Sequence, residues 1–189
     1  MQTRYDSAPT FDAFVEAAQA NKQLWATTYR LARVPDTFVE RVRALPHMLR
    51  LLVLNEDWCG DAVNTLPAIA KLASLAPDRL DLRVLGRDAN LDLMDAHLTG
   101  TSRSIPVVIV LGHDYVERGW WGPRPRDLQA WTTGPGQLLD KPERYREIRR
   151  WYARDRGLTT LEEVVSLMED VAAQSESNDK KAEHQLSGG

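Results

Sequence analysis

Apolar positions recur at three- and four-residue spacing along the first quarter of the chain. Phe11, Phe14, Val15 and Ala18 follow a Thr10 N-cap, Leu24, Trp25, Tyr29 and Ala32 continue the rhythm, and Phe38, Val42 and Leu45 come after Pro35-Asp36. This spacing predicts two or three amphipathic helices over residues 10–46. The pattern breaks at Met48–Leu54, a run of Leu and Val with one Arg. A run without alternation reads as a strand buried on both faces, and such strands belong to parallel sheets. Leu66, Ile69, Ala70, Ala73 and Leu75 then mark a helix of roughly 15 residues, and Leu80–Leu85 after Pro77-Asp78 reads as a second strand. A strand-helix-strand crossover makes that strand parallel to the first.

Further along, Asn90 is expected to cap a short helix whose Leu91, Met94 and Leu98 share a face. Ser104-Ile105-Pro106 leads into a strand at Val107–Leu111, and Gly112-His113-Asp114 turns it back into a strand at Tyr115–Gly119. Trp120 to Pro125 reads as a rigid connector, with Trp120 and Trp121 packing it to the core or lining a groove, and Arg124 and Arg126 placed to meet an anion. Helices are predicted at Asp127–Thr133 and at Lys141–Arg156, the latter ended by Gly157. Thr160-Leu161-Glu162-Glu163 matches a capping box that opens a last helix. From residue 174 to 189 apolar periodicity is lost, and that tail is expected to be disordered. The plan is a single α/β domain over residues 1–173, with a core at about 45–133, N-terminal helices at 10–46 and C-terminal helices at 141–172.

Composition narrows the class. With 189 residues, 43% hydrophobic, and only 11 Gly and 10 Pro, the chain is long enough for one real core and is not of a collagen-like or low-complexity type. A net charge of -3 speaks against nucleic acid as a partner. Arg118–Arg156 holds ten basic and five acidic residues, and Leu161–Glu183 holds seven acids and two lysines; the two are expected to neutralise each other across a helical pair. No apolar run approaches the ~18 residues of a membrane span, and the opening Met1–Asp6 has no apolar stretch of the signal-peptide kind. One cysteine excludes an internal disulfide and a Cys-rich zinc site and points to a reducing, cytoplasmic compartment. His47, His97, His113 and His184 lack ligand spacing, so no metal site is expected.

That cysteine, Cys59, stands where the first buried strand hands over to a helix. Unpaired N–H groups and the helix dipole at such a junction stabilise a thiolate and lower the thiol pKa, which makes Cys59 the candidate nucleophile. Asp57 and Asp61 pull the other way by like-charge repulsion if they lie close; otherwise they serve as N-cap or first-turn acids.

The run Val53-Leu54-Asn55-Glu56-Asp57-Trp58-Cys59-Gly60-Asp61-Ala62 resembles the active-site segment of the thioredoxin superfamily, and Ser104-Ile105-Pro106 resembles its cis-proline loop. With Leu91-Asp92-Leu93-Met94-Asp95 and Trp121-Gly122-Pro123-Arg124-Pro125, the likeness is to an uncharacterised bacterial thioredoxin-like family. The resemblance implies a thioredoxin-like fold, a four-stranded mixed sheet flanked by helices, here with extra helices at both ends. It also implies a cis Pro106 that sets the Ile105 backbone beside the sulfur, and a groove shaped by Trp58, Gly60, Asp61, Arg103, Ser104, Ile105 and Pro106. Gly60 would let the chain turn into the helix, and Arg103 would read a substrate carboxylate.

The departures matter as much. The resolving cysteine expected three residues after the first is Ala62, and the buried carboxylate expected six residues before it is Val53. The resemblance then implies one-cysteine exchange: Cys59 forms a mixed disulfide with a disulfide-containing protein or a low-molecular-weight thiol, and an external thiol such as glutathione, as co-substrate, releases it. Two other readings stay open, a non-catalytic peptide- or protein-binding module on the same fold, and a glutaredoxin-like iron-sulfur carrier.

Overall fold

The computed structural model describes residues 1–187, with side chains described to residue 175. Four strands form one mixed sheet in the order β2-β1-β3-β4, where β1 is Leu49–Asn55, β2 Leu80–Gly86, β3 Val107–Leu111 and β4 Glu117–Trp121. β1 pairs parallel with β2 and antiparallel with β3, and β3 pairs antiparallel with β4. Every residue of β1 but Arg50 is buried, and every residue of β3 is buried. Successive side chains of a strand point to opposite faces, so both faces of these central strands are covered, as their unbroken apolar runs require. The edge strand β2 alternates instead, with Leu80, Leu82 and Val84 inward.

The crossover between β1 and β2 is α5 (Gly60–Leu75), with ten of its 16 residues buried, and packed against α3 (Lys22–Leu31), α4 (Asp36–Arg43) and α9 (Leu158–Ser187). The other helices are α1 (Gln2–Ser7), α2 (Phe11–Ala17), α6 (Leu91–Asp95), α7 (Arg126–Thr133) and α8 (Lys141–Asp155). Thr10 caps α2 as expected, its hydroxyl accepting from the Ala13 N–H at 3.2 Å. Trp25 of α3, wholly buried, packs edge-on against Phe11 and Phe14 and ties α2 and α3 into one layer.

Several expectations need correction. α1 is a helix that the sequence pattern did not show, because its one buried side chain is Tyr5, whose hydroxyl donates to Asp81 at 2.7 Å. The second hairpin strand starts at Glu117 and not Tyr115: the turn extends to Val116, with Tyr115 left-handed at φ 59° and the Asp114 carboxylate accepting from the Val116 N–H. Trp120 and Trp121 are therefore strand residues, Trp121 inside and Trp120 outside beside His97. Asn90 precedes α6 but donates to the Gly86 carbonyl and does not cap with its side chain, and α6 ends at Asp95. The last helix opens two residues before Thr160, at Leu158, because the Asp155 carboxylate accepts from the Thr159 N–H and hydroxyl; the Thr160 hydroxyl is buried without a partner.

α9 also runs past Ala173, where order was expected to end: the Ser175 hydroxyl still donates to the Val171 carbonyl. Missing apolar periodicity argues against packing, but the Glu, Gln, Lys and Ala among those residues are good helix formers. Side chains beyond 175 and residues 188–189 lie outside the described residues. Among the described residues the predicted neutralisation between the basic and acidic segments does not occur. Glu162 and Glu169 of α9 pair with Arg41 of α4, and Glu163 accepts from the Trp121 indole and the Arg126 N–H. Among the described residues no ion pair joins α8 to α9.

Candidate functional site

The end of β1 delivers Cys59 to the N-cap of α5, as the apolar run followed by polar residues implied. Cys59 is 5% exposed, and its thiol donates to the Ile105 carbonyl oxygen at 3.3 Å. The Ile105–Pro106 bond is cis, so the proline loop stands beside the sulfur. Val53 is fully buried where a carboxylate would have stood. Asn55, the last residue of β1, is fully buried with neither side-chain amide atom hydrogen-bonded.

The charge state of the sulfur departs from the expected one. Burial pushes the Cys59 thiol up, and the nearby Asp61 charge adds to that. The Ala62 and Asp61 N–H groups of the first turn of α5 and the Arg124 guanidinium oppose the rise without overcoming it. A helix N-terminus favours a thiolate only where solvent or a cation completes its solvation, and desolvation wins at this depth.

The two acids that flank the cysteine in sequence part company in space. The Asp57 carboxylate accepts from the Gln19 and Ala20 N–H groups at 2.7 and 2.8 Å, and its carbonyl accepts from the Trp25 indole N–H at 2.9 Å. It holds the turn between α2 and α3 and does not face the thiol. Asp61 is partly buried, paired to Arg124 at 2.5 Å, and takes the Tyr152 hydroxyl of α8 at 3.0 Å. Its charge is thus met within the fold.

Gly122 explains how Arg124 reaches that place. At φ +136°, a Cβ on Gly122 would stand 2.1 Å from the Pro106 carbonyl oxygen, so only glycine lets the connector cross the cis-proline loop. The Gly122–Pro123 bond is also cis. Arg124 then lies with Nη1 on Gln129, Nη2 on Asp61 and a buried, unpartnered Nε. The anion that Arg124 meets is a side chain of the protein itself, and Arg126 offers its backbone N–H to Glu163.

A cavity of about 440 Å³ opens over the sulfur. Of the residues expected around it, Trp58, Gly60, Asp61, Arg103, Ser104 and Ile105 do line it, while Pro106 lies behind Ile105. Trp58 is 52% exposed, with the Arg87 guanidinium 5.1 Å from its ring. Gly60 has open space where a Cβ would be and needs no positive φ, so the turn into α5 does not demand glycine; its gain is an unobstructed mouth. The Arg103 guanidinium, half-exposed, is bidentate on Asp95 at 2.6 and 2.8 Å. Sequence reasoning missed further lining residues: Leu24 of α3 and Tyr145, Ile148 and Arg149 of α8. Among the described residues no cluster of His, Cys, Asp or Glu could hold a metal ion, and no helix is long and apolar enough to cross a membrane.

A family model described as Thioredoxin matches residues 8–141. The chain belongs to the thioredoxin family. PA1234 from Pseudomonas aeruginosa, a protein of unknown function, has a solved structure similar to this thioredoxin-family protein with a TM-score of 0.70 at 24% identity, covering 88% of this chain and 95% of that one. An HIV 4E10 epitope scaffold is similar with a TM-score of 0.71 at 22% identity, covering 89% and 97%. At such identities the likeness is one of fold. No curated protein matches. The matched segment ends as α8 begins, so Tyr145, Arg149 and Tyr152 are contributed by a helix outside it.

Proposed function

We propose that this thioredoxin-family protein is a one-cysteine thiol-disulfide exchange protein of a reducing, cytoplasmic compartment, acting on small disulfides. The observation that carries this reading is the Cys59 sulfur lining a 440 Å³ cavity beside the carbonyl that precedes a cis proline. That volume suits a small molecule, and α3 and α8 contribute to its lining. In the reaction Cys59 gives its proton to solvent, and the thiolate attacks one sulfur of a disulfide RSSR. The S–S bond breaks, RS⁻ leaves and is protonated, and Cys59 holds R as a mixed disulfide. An external low-molecular-weight thiol then attacks the sulfur of R as its thiolate, forms a new disulfide with it and returns the Cys59 thiolate. No second cysteine is needed.

One observation favours a second reading, a binding module without chemistry: burial holds the Cys59 thiol protonated at neutral pH. Alkylation by iodoacetamide from pH 6 to 11, followed by intact mass, separates the two when joined to turnover of 2-hydroxyethyl disulfide by wild type and Cys59→Ser. The exchange reading expects labelling of the folded protein that climbs with the thiolate, and turnover abolished by the substitution. A sulfur that labels only after unfolding, with turnover at the uncatalysed rate, would leave the binding module.

A further inference from the structure

The cavity over Cys59 is lined by four arginines and one acid, and their pairing singles out one of them. Arg103 is bidentate on Asp95, Arg87 is paired with Asp88 and bonded to the Arg103 carbonyl, and Arg124 is paired with Asp61. Arg149 of α8 has no ion-pair or hydrogen-bond partner among the described residues. The sequence itself arranges this. Along a helix, side chains three and four apart are neighbours. Arg149 has Tyr145 and Arg146 on one side and Tyr152 and Ala153 on the other, with no acid among them, whereas the adjacent Arg150 has Glu147 and pairs with it at 2.6 Å. Three acids of α9, Glu162, Glu163 and Glu169, are turned to Arg41, Trp121 and Arg126.

We propose that Arg149 makes the Cys59 cavity selective for small disulfides and thiols that carry a carboxylate. This rests on the exchange reading given above and names its substrate class. Arg149 itself is exposed, and Ile148 and Ile105, each 5% exposed, line the same cavity. The planar fork of the Arg149 guanidinium matches a carboxylate with two N–H donors. The other three arginines keep their internal partners, so a carboxylate entering the cavity meets one uncompensated charge. A substrate whose sulfur reaches Cys59 then sets an anionic arm on α8, in a cavity that Trp58 also lines.

The test compares three disulfides of similar length and different charge with the full chain: 3,3′-dithiodipropionate, neutral 2-hydroxyethyl disulfide, and cystamine. 2-Mercaptoethanol, a neutral thiol, regenerates the enzyme, so that charge enters only with the disulfide. Wild type is expected to prefer the dianion in kcat/KM. Arg149→Ala should lower the dianion's kcat/KM about tenfold, the loss of one charge-assisted hydrogen bond, and leave the neutral substrate unchanged. Arg149→Lys should restore part of it, and Arg149→Glu should shift preference to cystamine. Arg150→Ala, which removes the same charge from the same helix, should leave the ratio alone, and the Arg149 effect should persist at 0.3 M salt, where long-range steering is screened. Equal kcat/KM for all three disulfides, or equal effects of the two alanine variants, overturns the proposal.

A binding measurement keeps the proposal separate from the chemistry. Suberate has the length and both carboxylates of dithiodipropionate without a disulfide, and 1,6-hexanediol is its uncharged counterpart. Shifts of the Trp58 indole resonance should titrate with suberate and not with hexanediol, and Arg149→Ala should abolish them. If suberate binds in this way and no disulfide is turned over, the exchange reading fails and the anion site stands. If disulfides are turned over and suberate binds no better than hexanediol, the exchange reading stands and the anion site is wrong.

Discussion

Asp57 and Asp61 stand two residues either side of the nucleophile, yet the molecule treats them as different objects. On the N-terminal side, Asp57 is solvated by backbone, two N–H groups of the α2–α3 turn at its carboxylate and the Trp25 indole at its carbonyl. On the C-terminal side, Asp61 is solvated by side chains from two remote elements, Arg124 of the connector and Tyr152 of α8. The first arrangement is a hinge-pin: it fixes the loop that carries Trp58 without placing charge near the sulfur. The second is a partly buried ion pair lining the cavity, in which the Asp61 charge pushes the thiol pKa up and Arg124 opposes it. A charge beside a nucleophile thus has to be judged by its partners and not by its distance in sequence.

The comparison breaks most visibly at Asp61. Removing one member of a buried pair leaves the other charge without compensation, which costs about 3–5 kcal/mol. The Asp61 and Arg124 side chains are 13% and 17% exposed, so solvent offers little relief. Asp61→Ala is expected to lower unfolding stability in urea by about that amount, and Arg124→Ala by a comparable one. The double variant should lose clearly less than the sum, since the pair acts as a unit. Additive losses would mean that the pair is solvated and that the two acids are more alike than their geometry says. Asp57→Ala should cost less, about 2–3 kcal/mol, because it strands neutral N–H groups and no charge. Trp25→Phe keeps most of the aromatic packing and removes one indole N–H bond to the Asp57 carbonyl, an expected loss of about 1 kcal/mol by the same denaturation.

The two sides also differ in how much the sequence shows. Helices α2 to α4, β1, β3 and the place of Cys59 are legible because burial repeats at a fixed period: 3.6 residues for the helices, and an unbroken run for strands covered on both faces. The cis proline is legible through resemblance, since no local pattern distinguishes it. What the sequence hides are meetings between elements far apart in the chain. Arg124 lies 63 residues from Asp61 and Tyr152 lies 91 residues from it. Nothing local marks them except Gly122, whose contact with Pro106 shows only in three dimensions. The opening of β4 and of α9 were misplaced for a related reason, that Asp114 and Asp155 solvate backbone N–H groups from outside the capping pattern. The thiol's charge state was misjudged because a helix N-terminus is visible in sequence and burial depth is not.

That last point gives the smallest and sharpest prediction. The folded-state pKa of Cys59 is raised, so the folded protein binds this proton more tightly than the unfolded chain does. Its contribution to stability is therefore complete below the ordinary thiol pKa, near ~8.5, and is lost as pH rises from there through the folded value. One proton changes the slope of stability with pH by at most about 1.4 kcal/mol per unit. Tyr5 and Tyr152 are shifted in the same direction and add to any alkaline loss, so the wild-type curve alone does not isolate the thiol. Cys59→Ala removes the proton and leaves both phenols. The difference in unfolding free energy between wild type and Cys59→Ala should be flat from pH 6 to 8 and should shrink from about pH 9 upward. Should the difference grow with pH instead, the folded pKa lies below the unfolded one, and the helix terminus with Arg124 outweighs burial at the sulfur.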